Sequence, residues 1–155
     1  MIRIALYQPD IAQNAGTIMR LAACLGLGID IVEPSGFPVS DRAFRRAGMD
    51  YLDHVDWRRH DDFTAFEATR RSEGRRLILM TTKAALPYAG FAYQPDDILM
   101  AGRESAGVPD AVHAAADGRI VIPMRPGLRS LNVAVSVAMV AGEALRQVGG
   151  FADGP

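Results

Sequence analysis

Residues 122–132 read IPMRPGLRSLN; they run out of one apolar stretch, GRIVIPM at 118–124, and into another, VAVSVAMVAG at 133–142. The first stretch is short and β-branched, as a buried strand is. The second is longer, apolar nearly all round and rich in small residues, as a helix buried on more than one side is. Between them stand Pro123, Arg125, Pro126, Gly127, Arg129, Ser130 and Asn132. A stiff, polar loop after a buried strand marks the place where α/β sheets hold their ligands, beyond the carboxyl ends of the strands.

The rest of the chain alternates in the same manner. β-rich runs occupy 2–7, 28–33, 76–81, 97–101 and 119–122, and helical stretches occupy 14–25, 41–47, 62–72, 109–116 and 132–148. This alternation predicts an α/β fold with a mostly parallel sheet flanked by helices. With 155 residues, the chain is expected to form a single domain over 1–150 with a loose tail at 151–155. Hydrophobic residues make up 49% of it, enough for a core.

Composition also excludes function classes. The net charge is −1, so no global field draws the protein to nucleic acid, and any such contact has to come from local arginines. Lys83 is the only lysine. The single cysteine, Cys24, allows no internal disulfide and predicts a reducing, cytoplasmic setting. His54, His60 and His113 lack metal-ligand spacing, which argues against a metal site. No apolar run reaches the roughly 18–20 residues of a membrane span. P-loop, G-x-S-x-G and G-x-G-x-x-G motifs are absent, which removes support from kinase, hydrolase and standard dinucleotide-binding readings.

Several side chains follow predicted strands. In the first helix, Ile18, Leu21, Ala22 and Leu25 form a stripe expected to face the sheet, and Asn14 stands where it can cap the helix. Gly16 and Arg20 fall on another side, either as a packing contact and a solvated side chain or as part of a site. Glu104 is the one carboxylate in the turn AGRESAGVP at 101–109. Arg42, Arg45 and Arg46 cluster closely enough for a phosphate patch, or for an ordinary solvated helix face. The apolar final helix is either a central core helix or a subunit contact.

Taken in order, three motifs identify a family. NAGTIMR at 14–20, ILMAGRESAGVP at 98–109 and IVIPMRPGLRSLNVAVSVAMVAGEALRQ at 120–147 resemble the three motifs of the SPOUT (knotted) RNA methyltransferases, over essentially the whole chain. IVEPSGF at 31–37, FRRAGMDYLD at 44–53 and TTK at 81–83 look like the TrmL-type group within it. The resemblance implies a C-terminal deep trefoil knot that holds S-adenosylmethionine, with S-adenosylhomocysteine as product. It implies a homodimer through the C-terminal helix and methylation of the ribose 2′-hydroxyl of the wobble nucleotide of leucine tRNAs. Met80, Gly102, Ile122, Ser130 and Leu131 would bind the cofactor. Arg20 would lie near the 2′-hydroxyl, as base or as a positioning and charge-stabilising group. Asn14, Glu104, Ser130 and Asn132 would orient it and the cofactor, and Arg20, Arg42, Arg45, Arg46 and Arg129 would meet RNA.

The chain departs from that group at Arg103, where a proline or small residue is expected, and at Ala134, Val135 and Gly142 in the final helix. Two alternatives stand beside this reading. One is a ribose methyltransferase for another tRNA or rRNA position. The other is a non-catalytic, doubly wound binding module.

Overall fold

The computed structural model of the chain describes residues 1–47, 49–128 and 130–153. Gly48, Arg129 and the last two residues lie outside it, so the expectations for Arg129 and for the end of the tail fall outside the described residues.

Six strands form one sheet: β1 Arg3–Tyr7, β2 Gly28–Val32, β3 Trp57–His60, β4 Leu77–Met80, β5 Ile98–Ala101 and β6 Gly118–Ile120. Their order is β3-β2-β1-β5-β4-β6, and every pairing is parallel. The helices are α1 Ala12–Leu25, α2 Asp41–Arg46, α3 Phe63–Ser72, α4 Asp110–Ala115 and α5 Val133–Val148. Central strands buried on both faces lose the in–out alternation, and β1 and β2 are buried at all five positions. One core face packs Ile4, Ile29, Ile31 and Leu99 under α1 and α5. The other packs Leu77, Leu79 and Met100 with Phe66 of α3 and Val112 of α4. Because all strands run the same way, Tyr7, Met80, Ala101 and Ile120 end on one edge.

The structure corrects four expectations. β3 reads WRRH and carries too few apolar residues to be seen as a strand, yet it pairs with β2 from Ile29↔Trp57 to Val32↔His60. β6 covers 118–120 rather than 119–122; Val121 only bridges Pro87, and Ile122 already belongs to the loop. The buried side of α1 is Ala15, Ile18, Met19 and Ala22, while Leu21 and Leu25 stay half-buried. Asn14 does not cap α1, which begins two residues earlier behind Ile11, without a side-chain cap. The end of that helix is built conventionally, with Gly26 at φ 68° closing it.

A charged cluster lies inside the sheet. Arg3 of β1 is fully buried; its Nε donates to Asp30 Oδ2 at 2.6 Å and its Nη1 to Asp56 Oδ2 at 2.5 Å. His60 Nε2 lies 2.7 Å from the other oxygen of Asp30. Burial by itself would raise the pKa of Asp30, but the His60 hydrogen bond and the Arg3 charge outweigh it and hold the carboxyl below the usual range.

Candidate active site

The carboxyl ends of β4, β5 and β6 open into a cavity of about 370 Å³. Met80, Gly102, Ile122, Ser130 and Leu131, the five residues expected to bind a cofactor, all line it, and so does Glu104. Met80 ends β4, Gly102 follows β5, and the other three come from the loop between β6 and α5. The volume falls in the roughly 300–1,000 Å³ range of small-molecule sites. Gly102 is required here: a Cβ would stand 2.8 Å from the carbonyl carbon of Gly107, across a turn that is closed by Arg103 N–H to Gly107 O at 3.0 Å and the reverse bond at 2.9 Å.

That turn is clasped to the loop after β1. The backbone N–H of Asp10 donates to Glu104 Oε2 at 3.0 Å, and Ser105 Oγ donates to Asp10 Oδ2 at 2.6 Å. Arg103 Nη2 donates to Gln8 Oε1, and its guanidinium lies 5.6 Å from the Tyr7 ring centroid. Gln8 takes φ 44°, in the left-handed region, while its N–H donates to Val32 O at 2.8 Å. A non-glycine residue held in this way marks a functional loop. Gln8 and Asp10 were not among the expected site residues; their one signal in sequence is their position just after a strand.

Asn132 joins two helix starts. Its Oδ1 accepts from Ala134 N at 2.8 Å and Val135 N at 3.4 Å, capping α5, while its Nδ2 donates to Asn14 Oδ1 at 3.0 Å. The two asparagines therefore fix α1 against α5, beside Leu131 and the cavity. Asn132→Ala is expected to cost about 1–2 kcal/mol from the lost cap. Asn14→Ala, which spares the cap, should cost less; urea unfolding of both variants checks the order.

Arg20 stands apart. It does not line the cavity, it is exposed, and its guanidinium lies 5.0 Å from the Tyr51 ring centroid. Among the described residues, no hydrogen bond within the chain links Asn14, Glu104, Ser130 or Asn132 to it. The reason is local: Arg20 lies almost two helical turns beyond Asn14 and on a different side. The arginines of α2 also divide. Arg42 and Arg46 line a second cleft of about 570 Å³ with Phe37, Pro38 and Met49, close to α1 through a Met49–Gly16 approach. Arg45 instead pairs with Asp53 at 2.7 Å and is neutralised there.

No group of three metal-ligating side chains occurs among the described residues, and none of their helices is long and apolar enough to cross a membrane.

The sequence profile of the SpoU rRNA Methylase family matches residues 1–142. The chain belongs to the SpoU methylase family. Its relatives include a tRNA (cytidine(34)-2'-O)-methyltransferase of Beijerinckia indica, 67% identical over 96% of this chain and 93% of that protein. The Escherichia coli K12 protein of the same name is 40% identical over 96% of this chain and 95% of its own length. A solved structure concerned with 2-OH methylation of C/U34 on tRNA superposes with a TM-score of 0.86, at 40% identity, covering 95% of each chain. An AdoMet-bound rRNA methyltransferase from Sinorhizobium meliloti superposes at 0.81, with 26% identity over 94% of this chain and 56% of that one. Membership of a methylase family sets aside the non-catalytic binding module.

Proposed function

We propose that this SpoU-family chain methylates the ribose 2′-hydroxyl of nucleotide 34 of tRNA, with S-adenosylmethionine as donor. The observation that carries the reading is the convergence of Met80, Gly102, Ile122, Ser130 and Leu131 on one cavity at the sheet edge. The high identity to tRNA (cytidine(34)-2'-O)-methyltransferases over nearly full length supports the choice of substrate. Apolar Met80, Ile122 and Leu131 suit the two faces of an adenine, and the strand-end backbone suits its edges and the ribose. When bound, the donor supplies a methyl group activated by its sulfonium.

The chain's own residues do the rest. Pro123 and Pro126 limit the freedom of the loop before binding, so less entropy is lost on capture. A guanidinium stays protonated, so Arg20 acts as the cation that meets negative charge growing on the ribose oxygen and steadies a neighbouring phosphate. Arg42 and Arg46 extend the same basic face towards RNA. The threaded C-terminal arrangement belongs to this reading and is supported by the placement of the elements: β6 lies at the sheet edge outside β4, while α5 packs on β5 and α1.

One protomer leaves the site incomplete, because Arg20 lies away from its own cavity. A homodimer completes it, with each cavity served by the partner's basic face. The free side of α5 supports this: Val135 and Met139, four residues apart on the helix, are 49% and 37% exposed. Val135→Glu is expected to turn a dimer into a monomer in sedimentation and to abolish methyl transfer. A wild-type monomer at micromolar concentration would refute the shared site.

Incubation with labelled methyl donor and total RNA, followed by nucleoside mapping, tests the function. Label confined to the ribose of tRNA nucleotide 34, with leucine isoacceptors preferred, is expected. Label on a base, or on ribosomal RNA alone, would overturn the assignment.

A further inference from the structure

Among the described residues, two buried side-chain polar atoms have no hydrogen-bond partner, Arg103 Nε and His113 Nε2. Both residues line the cavity of about 370 Å³. The neighbours of His113 fix its chemistry. The single N–H of Arg119 Nε is shared between the His113 carbonyl at 2.9 Å and His113 Nδ1 at 3.2 Å; an arginine can only donate, so this geometry assigns Nδ1 as acceptor and the ring proton to Nε2. Both unpartnered atoms are therefore N–H donors. The Arg103 guanidinium bonds to the neutral amide of Gln8 and lies over Tyr7; its adjacent carboxylate, Glu104, is turned towards the Asp10 backbone. A half-buried cation without a counter-charge among the described residues, beside a second idle donor, calls for an anionic acceptor.

We propose that Arg103, with His113 as second donor, grips the carboxylate of the amino-acid arm of the methyl donor. This rests on the cofactor reading above. Within that donor the sulfonium and the amine are cations, and the carboxylate is the one anionic group a guanidinium can pair with. The site is prebuilt: the Arg103 backbone is pinned to Gly107 in both directions, and the backbones at Gly102 and Gly107 pack too closely for a Cβ at position 102. Lys83 lines the same cavity but is exposed, which makes it a solvated charge and not a fixed fork.

Calorimetry on the dimer with two ligands tests the proposal: S-adenosylhomocysteine, and its decarboxylated form, which keeps the amine. Wild-type protein is expected to prefer the former by about 30-fold, the range of a charge-assisted hydrogen-bond pair. Arg103→Met should lose that preference, weakening the carboxylate ligand about 30-fold and leaving the decarboxylated one within about twofold. His113→Phe should lose about fivefold, again only for the carboxylate ligand. Unchanged melting temperatures separate these effects from misfolding, and Arg103→Lys should restore part of the preference. Equal losses for both ligands in Arg103→Met, no selective loss in His113→Phe, or removal of the whole preference by Lys83→Ala would each overturn the proposal. Wild-type protein that binds both ligands equally would overturn it while leaving the cofactor reading intact; binding of neither would overturn both.

Discussion

Arg20→Ala is expected to lower kcat/KM for tRNA by about 10³-fold or more while S-adenosylhomocysteine affinity stays within about twofold. The split follows from position. The Arg20 side chain is exposed and lies outside the cavity of its own protomer, so its removal leaves the cofactor walls untouched. Its guanidinium is stacked near Tyr51 at 5.0 Å, which holds it without neutralising it. A cation with no carboxylate partner among the described residues suits a reaction in which negative charge develops on a sugar oxygen, where removing one stabilising group typically costs about 10²–10³-fold. Loss of the proposed phosphate contact would add to that in KM. Arg20→Lys keeps the charge but not the planar fork and should recover only a fraction of the rate. Tyr51→Leu removes the platform, an exposed cation–π contact of about 0.5–1 kcal/mol, and should cost roughly two- to fivefold. Single-turnover methylation and calorimetry on the same preparations read both quantities. An Arg20→Ala enzyme with full activity would remove this residue from the site.

The sequence disclosed the cavity better than it disclosed the frame around it. Met80, Gly102, Ile122, Ser130 and Leu131 were named through the resemblance of the three motifs, and they fall together because strand ends of a parallel sheet share one edge. β3 was not legible, because WRRH has no apolar rhythm and becomes a strand only by pairing with β2 and burying His60 on Asp30. Arg3 was hidden for the converse reason. In IRIAL an arginine between isoleucines reads as outward-facing, but both faces of this sheet are covered and the partner carboxylates come from 27 and 53 residues away. The partners of Asn14 and Arg20 were beyond reach for the same cause: Asn132 is 118 residues distant, and Tyr51 belongs to another element. Contacts between elements depend on how helices settle over the sheet, which local patterns do not encode.

Asp30→Ala is expected to destabilise the protein by about 3–5 kcal/mol at neutral pH, because it strands a buried guanidinium. Arg3 is 0% exposed, Asp30 is its buried partner at 2.6 Å, and the remaining carboxylate, Asp56, has a 52% exposed side chain that solvent screens. Against a typical total of about 5–15 kcal/mol this loss is large. The acid limb should change too. The folded-state pKa of Asp30 is depressed, so its contribution is present above the ordinary carboxylate value of 3.8 and is lost as pH falls through the lower folded value. Wild-type stability should therefore fall in that acid window by an amount that Asp30→Ala no longer shows, and the two curves should converge as pH drops. Urea unfolding from neutral to acid pH, at one protein concentration, measures both effects. Arg3→Met combined with Asp30→Leu removes both charges and should recover most of the loss, since apolar replacement of a buried pair is often neutral. If Asp30→Ala alone stays within about 1 kcal/mol of wild type, the buried guanidinium is being satisfied by Asp56 and backbone carbonyls, and the ion pair inside the sheet is not what holds β1, β2 and β3 together.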